Sequence, residues 1–120
     1  MATFTIYANS DAGGGGTFTI VLSGDGVPFL MIDIRGIVWV FYVDEDKLLY
    51  KVSTDATGTA FGSPVTLEAS DIPDGQPSAI QHIDGKITVI YYKTIATVDT
   101  LYQAVSTNFG ASWTKGAVAT

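Results

Sequence analysis

Few side chains in this sequence are able to carry acid–base or nucleophilic chemistry. Its 120 residues include one histidine, His82, one arginine, Arg35, and two glutamates, Glu45 and Glu68, and they include no cysteine. The missing cysteines exclude disulfides, zinc–thiolate sites and thiol nucleophiles, and a lone histidine excludes a multi-histidine metal site within one chain. With one histidine and no G-x-S-x-G motif, the sequence does not suggest a Ser–His–Asp triad.

Carboxylates are the remaining catalytic groups, and they cluster where turns are predicted, at Asp44-Glu45-Asp46, at Asp71 with Asp74, and at Asp25. A carboxylate pair could act as acid and base on a glycosidic bond, and the first cluster could offer oxygen ligands to Ca²⁺. That cluster lacks the D-x-D-x-D-G spacing of an EF-hand loop, and turns commonly use carboxylates as caps and solubilising charges. We expect no catalytic residue, no metal and no cofactor. The glycine run at 13–16 also lacks the G-K-[ST] ending of a phosphate-binding loop.

The charge balance limits the class of partner. Twelve acidic and six basic residues give a net charge of −6 and a pI near 4.3. Nucleic acids and anionic membranes attract basic surfaces, so neither is an expected partner. The sequence has no apolar run of about 18 residues that could span a membrane. Its first residues lack the basic and apolar regions of a secretory signal, and the localisation is left open.

The residue pattern predicts an all-β fold. Short segments rich in Val, Ile, Thr, Tyr and Phe alternate with Gly, Pro, Asp and Ser. No segment of useful length has apolar residues at the i, i+3, i+4, i+7 spacing of a helix. One segment, 37–43, is apolar on both faces and therefore needs covering on both sides. The predicted strands span residues 28–34, 37–43, 48–53, 64–68, 78–83, 86–93, 100–106 and 113–119.

The chain contains an internal repeat. Gly26-Val27-Pro28 recurs 49 residues later as Gly75-Gln76-Pro77, and the offset becomes 53 where Val52-Ser53-Thr54-Asp55 recurs as Val105-Ser106-Thr107-Asn108. The copies, residues 26–74 and 75–120, hold four predicted strands each. Repeated four-stranded units of about 45–50 residues are typical of β-propeller blades. An antiparallel sandwich of eight to ten strands is the alternative, and the repeat favours the propeller.

Residues 1–25 have two interpretations that the sequence leaves open. The segments 4–8 and 17–22 would be the third and fourth strands of a half blade, with a degenerate turn motif at Ser10-Asp11 between them. Alternatively, they form a free hairpin around a glycine-rich turn.

One motif in the repeat resembles a known family. The segment Ser106-Thr107-Asn108-Phe109-Gly110-Ala111-Ser112-Trp113 is similar to the Asp-box, S-x-D-x-G-x-x-W, of sialidase-like (BNR) β-propellers. Residues 53–61 are a longer version of the same box. The positions that carry the motif are Ser53, Asp55, Gly58 and Phe61 in the first copy, and Ser106, Asn108, Gly110 and Trp113 in the second. We expect a structural role for them, because hydroxyl, carboxylate and amide groups hold turns and glycine adopts conformations that other residues avoid.

The resemblance implies an activity that this chain does not support. Sialidases of the family clamp the substrate carboxylate with three arginines, whereas this chain has Arg35 alone. They also use a Tyr–Glu pair as nucleophile, and both glutamates here are predicted at a loop or strand end. We therefore expect a protein that binds and is not an enzyme.

Two blades and a half cannot close a ring, since propellers have about 4–8 blades. The sequence therefore predicts either a homo-oligomer that completes the ring or truncation from a longer parent. Two chains would supply twenty strands, the count for five blades. Three chains with two blades each would supply six, and analogy with lectins built in that way favours the trimer.

The expected function is that of a non-catalytic, lectin-like module that binds glycans. Sugar-binding members of such families place the ligand between blades, against a Trp or Tyr ring and beside a charged residue. The residues that would take these roles here are Arg35, Trp39, Tyr42 and Tyr91. The alternative is a structural or assembly module, such as a component of a viral or phage particle or a propeller fragment whose role is self-assembly.

Overall fold

The protein is built from β-strands. The computed structural model describes the backbone of residues 2–8, 16–22, 25–58 and 60–118, and the side chains of residues 27–58 and 60–118. Within those ranges there are ten strands and no helix, which confirms the predicted all-β class. The strands are β1 (Ala2–Ala8), β2 (Gly16–Leu22), β3 (Asp25–Ile32), β4 (Val38–Asp44), β5 (Lys47–Val52), β6 (Val65–Glu68), β7 (Ser78–Gln81), β8 (Ile87–Ile95), β9 (Val98–Ser106) and β10 (Thr114–Ala117).

The two repeats form two four-stranded antiparallel sheets. Sheet one has the order β3-β4-β5-β6, and sheet two has the order β7-β8-β9-β10. Each sheet is a meander in which every strand pairs with its neighbour in the chain, as short connections favour. The four strands predicted for each copy are thus confirmed.

The N-terminal strands β1 and β2 pair antiparallel with each other as a two-stranded sheet. Both strands were predicted, and a pairing of this kind suits a half blade and a free hairpin equally. The degenerate box at Ser10-Asp11 lies outside the described residues.

The hairpin between β8 and β9 is tighter than the sequence predicts. The two strands continue to Ile95 and from Val98, so that Ala96 and Thr97 alone form the turn. Their φ angles are 49° and 68°. Two-residue turns with two positive φ angles match the twist of paired strands. The usual signal for such a turn is Asn-Gly or Asp-Gly, and its absence explains why the prediction ended these strands early.

One face of sheet one packs against one face of sheet two, and we call this contact the junction. Sheet one contributes Trp39, Phe41, Val43, Leu48 and Tyr50, and sheet two contributes Ile87, Val89, Tyr91 and Ala104, all of them buried. The alternation of side chains along a strand places the other residues of β4 on the opposite side of sheet one, which we call the far face. There Val38, Val40 and Tyr42 form a second buried cluster with Leu49 and Phe61 packed against it. Strand β4 is therefore covered on both sides, as its sequence predicts.

Aromatic rings dominate the junction. Trp39 stacks on Phe41, with 6.0 Å between ring centroids, and lies 5.3 Å from Tyr50. Trp113, from the start of β10, meets Trp39 and Tyr50 edge-on at 6.4 and 5.8 Å and donates a hydrogen bond from Nε1 to Tyr50 Oη at 3.2 Å. Edge-on and offset rings contribute beyond their buried area. Trp113 therefore fastens the end of sheet two to the centre of sheet one.

Phe61 and Trp113 were predicted at equivalent buried positions, and both are partly buried beside their box turns. Phe61 packs on the far face of its own sheet, whereas Trp113 packs into the junction. Val38, Val40 and Tyr42 of the far face align by the repeat offset with Ile87, Val89 and Tyr91 at the junction. The two aromatic rings are thus equivalent relative to their own sheets.

Replacement of Trp113 by alanine tests this packing. We expect Trp113→Ala to lower the free energy of unfolding by about 3 kcal/mol, because it removes a large ring and leaves the Tyr50 hydroxyl without its donor. Trp113→Phe should recover part of the loss. Urea denaturation measures both, with Ile83→Ala at a fully exposed turn position as a control. A loss below about 1 kcal/mol would contradict the packing described here.

Candidate functional site

Arg35 and Trp39, two of the residues predicted to bind a ligand, meet at the carboxylate of Asp33. The Asp33 Oδ1 atom accepts hydrogen bonds from the backbone N–H groups of Arg35 and Ile37, at 2.8 and 3.1 Å. Its Oδ2 atom accepts from Trp39 Nε1 at 3.0 Å and from Arg35 Nη2 at 2.7 Å. Gly36 completes the turn with a φ of 83°. The carboxylate therefore closes the β3–β4 turn and holds both side chains in place.

This corner also joins the two sheets. The guanidinium carbon of Arg35 lies 3.9 Å from the ring centroid of Phe109, which belongs to the box turn of sheet two. Burial opposes ionisation of Asp33, but hydrogen bonds from Arg35 and Trp39 outweigh it and hold the pKa of the carboxyl below its ordinary value. Asp33 is thus a buried anion, and the guanidinium of Arg35 at the surface neutralises its charge.

The aromatic residues predicted to stack on a sugar lie in the interior. Trp39 is 1% exposed, Tyr42 6% and Tyr91 4%. Tyr42 is on the far face, on the opposite side of sheet one from Trp39 and Tyr91. A buried ring offers no face to a ligand, so these three are core residues in this conformation. The prediction misassigned them because a strand pattern does not say whether a second layer covers each face.

His82 occupies in sheet two the place that Asp33 has in sheet one. Its Nε2 atom lies 3.0 Å from the hydroxyl of Thr88, the position equivalent to Trp39. Gly85 has a φ of 92°, close to that of Gly36. Both turns are therefore closed by a polar side chain that reaches the next strand, and His82 serves its own hairpin.

Both turns that carry the box motif are held by side chains of the motif. In the first, Ser53 Oγ accepts from Val38 N at 2.9 Å and donates to the carbonyl of Asp55 at 2.8 Å. In the second, Ser106 Oγ accepts from Gly110 N at 2.8 Å and donates to Asn108 Oδ1 at 2.9 Å. These bonds support a structural role, and asparagine replaces aspartate in the second box without loss of the acceptor.

Gly110 shows why the box needs glycine. Its φ is 84°, and a Cβ atom there would lie 3.0 Å from Trp39 Cη2 and 3.2 Å from Tyr50 Oη. Gly58 has a φ of 66° at the equivalent place. A larger residue at 110 would push against the aromatic rings of the junction.

Glu68 forms a polar centre at the junction that the sequence analysis missed. It is the last residue of β6, in agreement with the predicted strand end, but its side chain is 9% exposed and contacts three groups of sheet two. Tyr91 Oη donates to Oε1 at 2.8 Å, Lys93 Nζ lies 3.0 Å from Oε2, and Lys115 Nζ lies 3.3 Å from Oε1. These partners are 23 to 47 residues away in sequence, so no local spacing signals them.

The pKa shifts at this centre follow from its geometry. Burial opposes ionisation of Glu68, yet the hydrogen bonds from Lys93 and Tyr91 and the charge of Lys115 hold its pKa below the ordinary value. Burial and the bond to Glu68 raise the pKa of Tyr91. Tyr91 and Glu68 form a Tyr–Glu pair, but a buried tyrosine with a raised pKa is a poor nucleophile. The arrangement favours a clamp between the sheets over a catalytic pair.

A small cleft opens at one end of the junction. It has a cavity volume of about 40 Å³ and is lined by the connection between the sheets and by strands of both of them. The lining residues are Val43, Leu48, Ile72, Pro73, Asp74, Gly75, Gln76, Pro77, Tyr91 and Tyr92. Asp74 and Gln76 are the exposed polar residues among them.

The backbone carbonyl groups of two acidic turn residues accept hydrogen bonds from other parts of the chain. The backbone N–H of Ile72 donates to the carbonyl of Asp46 at 3.0 Å, and that of Thr94 donates to the carbonyl of Asp71 at 2.8 Å, so the connection is tied to both sheets. In the described part of the chain, no three His, Cys, Asp or Glu side chains are grouped so that they could hold a metal ion. Nor do the described residues form a helix of the length and apolarity that membrane crossing requires.

Acid should weaken the clamp between the sheets. The pKa values of Glu68 and Asp33 are depressed on folding, so the stability that they contribute is present at neutral pH and is lost as pH falls below about 5 and through the folded-state values. We expect Glu68→Gln to cost about 1–3 kcal/mol at pH 7, and the difference from wild type to shrink as pH falls. Urea denaturation from pH 7 to pH 3 measures this. Glu45→Gln, at an exposed turn, is the matched control and should change stability by less than about 0.5 kcal/mol. Equal effects of the two variants would contradict the clamp.

Comparison with known proteins adds no relative to this geometry. No protein-family model matches the chain, and no curated protein shows significant sequence similarity to it.

Proposed function

We propose that this chain is a non-catalytic assembly module, made of two propeller-type blades, that works by packing its sheets against further sheets. The single observation that carries the proposal is the construction of the junction. It joins opposite faces of the two sheets, because the Ile87–Val89–Tyr91 side of sheet two corresponds by the repeat to the far face of sheet one. Because the two faces in contact are of different kinds, further sheets can be added in one direction. The last sheet, sheet two, then still has a free face of the kind that sheet one uses at the junction.

That unused face is the outer face of sheet two. Its residues align one by one with those that sheet one uses at the junction: Ile80 with Met31, Thr88 with Trp39, Ile90 with Phe41, Tyr92 with Val43, Leu101 with Leu48, Gln103 with Tyr50 and Val105 with Val52. The strand register confirms that they share one side, since Thr88 pairs with Val105 and Ile80, and Ile90 with Gln103. The repeat therefore places a second docking face at the end of the molecule.

The outer face has the composition of a surface that is normally covered. Ile80 is 60% exposed and Tyr92 56%, and Ile90, Leu101 and Val105 are partly exposed. None of its seven positions carries a charge, in a chain with eighteen charged residues (twelve acidic and six basic). Soluble proteins rarely expose a continuous apolar face, and depletion of charge is typical of interface centres. These properties support association through this face.

The same geometry supports a role without catalysis. The lone arginine neutralises Asp33, the lone histidine contacts Thr88, and the Tyr91–Glu68 pair is held by Lys93 and Lys115. These groups thus have partners in the fold. This favours binding or assembly over an enzymatic function.

The molar mass in solution tests the proposal. The chain has a mass of 12.7 kDa, and we expect sedimentation equilibrium of the pure 120-residue protein to give a multiple of that value. Association should persist at high salt, because an uncharged apolar interface does not depend on ion pairs. A 12.7 kDa monomer that unfolds cooperatively and stays monomeric up to its solubility limit would contradict the proposal.

Glycan binding is the second candidate, and the cleft at the end of the junction is the observation that favours it. It lies between two blades, where the sequence predicts a sugar site, and it presents a carboxylate and an amide beside proline and tyrosine residues. The side chain of Arg35 is 47% exposed. Of the described aromatic rings beside it, Trp39 is buried and Phe109 already contacts the guanidinium of Arg35. The geometry therefore favours Asp74 and Gln76 over Arg35 and Trp39 as the ligand-binding residues.

A glycan array probed with the associated protein tests this candidate. A shallow cleft buries little of a hydrated sugar, so single sites should be weak and association should raise the apparent affinity by about 10²–10⁴ on a multivalent surface. If a glycan binds in the cleft, Asp74→Ala with Gln76→Ala should abolish the signal, and Asp84→Ala, in the β7–β8 turn, should not. If a confirmed oligomer gives no signal on the array, glycan binding is contradicted and only the assembly role remains.

A further inference from the structure

The two ends of the stack of sheets differ in one respect that determines how copies of the chain associate. At the sheet-one end, Val38, Val40 and Tyr42 at the centre of the far face are 8%, 1% and 6% exposed, so that centre is already covered within the single chain. The exposed apolar residues of the far face, Leu30 and Ile32, lie on its outermost strand β3. At the sheet-two end, the outer face is open, with Ile80 and Tyr92 more than half exposed. An endless or ring-shaped stack needs two complementary open ends. Among the described residues, only the outer face of sheet two has an open centre.

We propose that the outer face of sheet two is the contact surface for a second copy of this chain, and that the two copies pair about a two-fold axis, outer face against outer face. The inference rests on the proposed assembly function and adds the partner and its symmetry. The repeat-equivalent partner for this face would be a far face, but the centre of the far face is covered in a second copy too. What the second copy presents is its own outer face, and a self-complementary contact closes after two chains.

Charge favours a second copy over an unrelated partner. Each chain carries a net charge of −6, which makes close approach unfavourable except where the surface is neutral. The seven positions of the outer face are uncharged, and Asp99, which pairs with Thr94 near the β8–β9 turn, is at the margin. A basic or acidic partner would find no complementary group here. Two identical apolar faces meet without desolvating a charge.

The size of the face suits a modest dimer. At a strand spacing of about 4.8 Å, the nine-residue strands β8 and β9 are about 30 Å long and the four-residue strands β7 and β10 about 13 Å. The flat area of the face is therefore about 410 Å², roughly half of the 800 Å² of accessible surface that each partner buries in a standard interface. We therefore expect an affinity in the micromolar range, visible as concentration-dependent mass.

Sedimentation equilibrium with paired variants tests the surface. The wild type should reach about 25 kDa, twice the 12.7 kDa of one chain. Tyr92→Lys places a charge on the exposed outer face and should weaken the dimer at least about 30-fold. Ile83→Lys makes the same change of charge at a fully exposed turn residue and should leave the dimer intact. Circular dichroism and thermal melting confirm that each variant folds.

Single-cysteine cross-linking tests the symmetry, since the chain has no cysteine of its own. Ile80→Cys, Ile90→Cys and Gln103→Cys, made one at a time, sample the outer face. In a two-fold pair, a residue near the axis meets its own counterpart, so at least one variant should form a disulfide-linked dimer under mild oxidation. Ile83→Cys is the control and should react more slowly. Failure of all three variants to cross-link would overturn the two-fold pair.

The possible masses separate the two proposals. A trimer or larger ring, or a dimer that survives Tyr92→Lys, would overturn the two-fold pairing and leave the assembly function standing. A monomer at every concentration would overturn both. A dimer lost in Tyr92→Lys and kept in Ile83→Lys supports both.

Discussion

The structure depends on the burial of one strand from both sides. β4 has apolar residues at every position from Val38 to Val43, and all six are buried. A strand of this kind is stable only as the middle layer of a stack, since neither face tolerates water. Sheet two covers the side with Trp39 and Phe41. The Asp33 corner, the Glu68 clamp and the box turn of sheet two are arranged around that contact.

The polar groups at the junction give the apolar contact its specificity. Apolar area alone would let the two sheets slide or rotate, because hydrophobic attraction has no direction. Glu68 with Tyr91 and Lys93, Arg35 over Phe109, and Trp113 bonded to Tyr50 fix three separate points of the two sheets. Among the described residues, no buried side-chain nitrogen or oxygen lacks a hydrogen-bond partner. Satisfied polar groups of this kind specify one arrangement of a core.

The sequence predicts the fold well because the fold is local. Strands alternate with turn residues, each strand pairs with the next, and the repeat identifies which turns are equivalent, down to the hydrogen bonds of Ser53 and Ser106. The candidate site is predicted poorly because it depends on contacts between the sheets. Trp39, Tyr42 and Tyr91 have the residue types of a sugar site, but their burial is decided by layers that no periodicity reports. Glu68 gained its role from Tyr91, Lys93 and Lys115, which the sequence separates widely and the junction brings together.

The proposed role of this chain is the stacking of sheets, and the proposed contact is the outer face of sheet two. A crystal or cryo-electron microscopy structure of the associated protein tests this most directly. The account predicts two copies related by a two-fold axis, with Ile80, Ile90 and Tyr92 of each chain buried against the outer face of the other. An assembly that leaves these side chains in solvent and joins the copies elsewhere would contradict it.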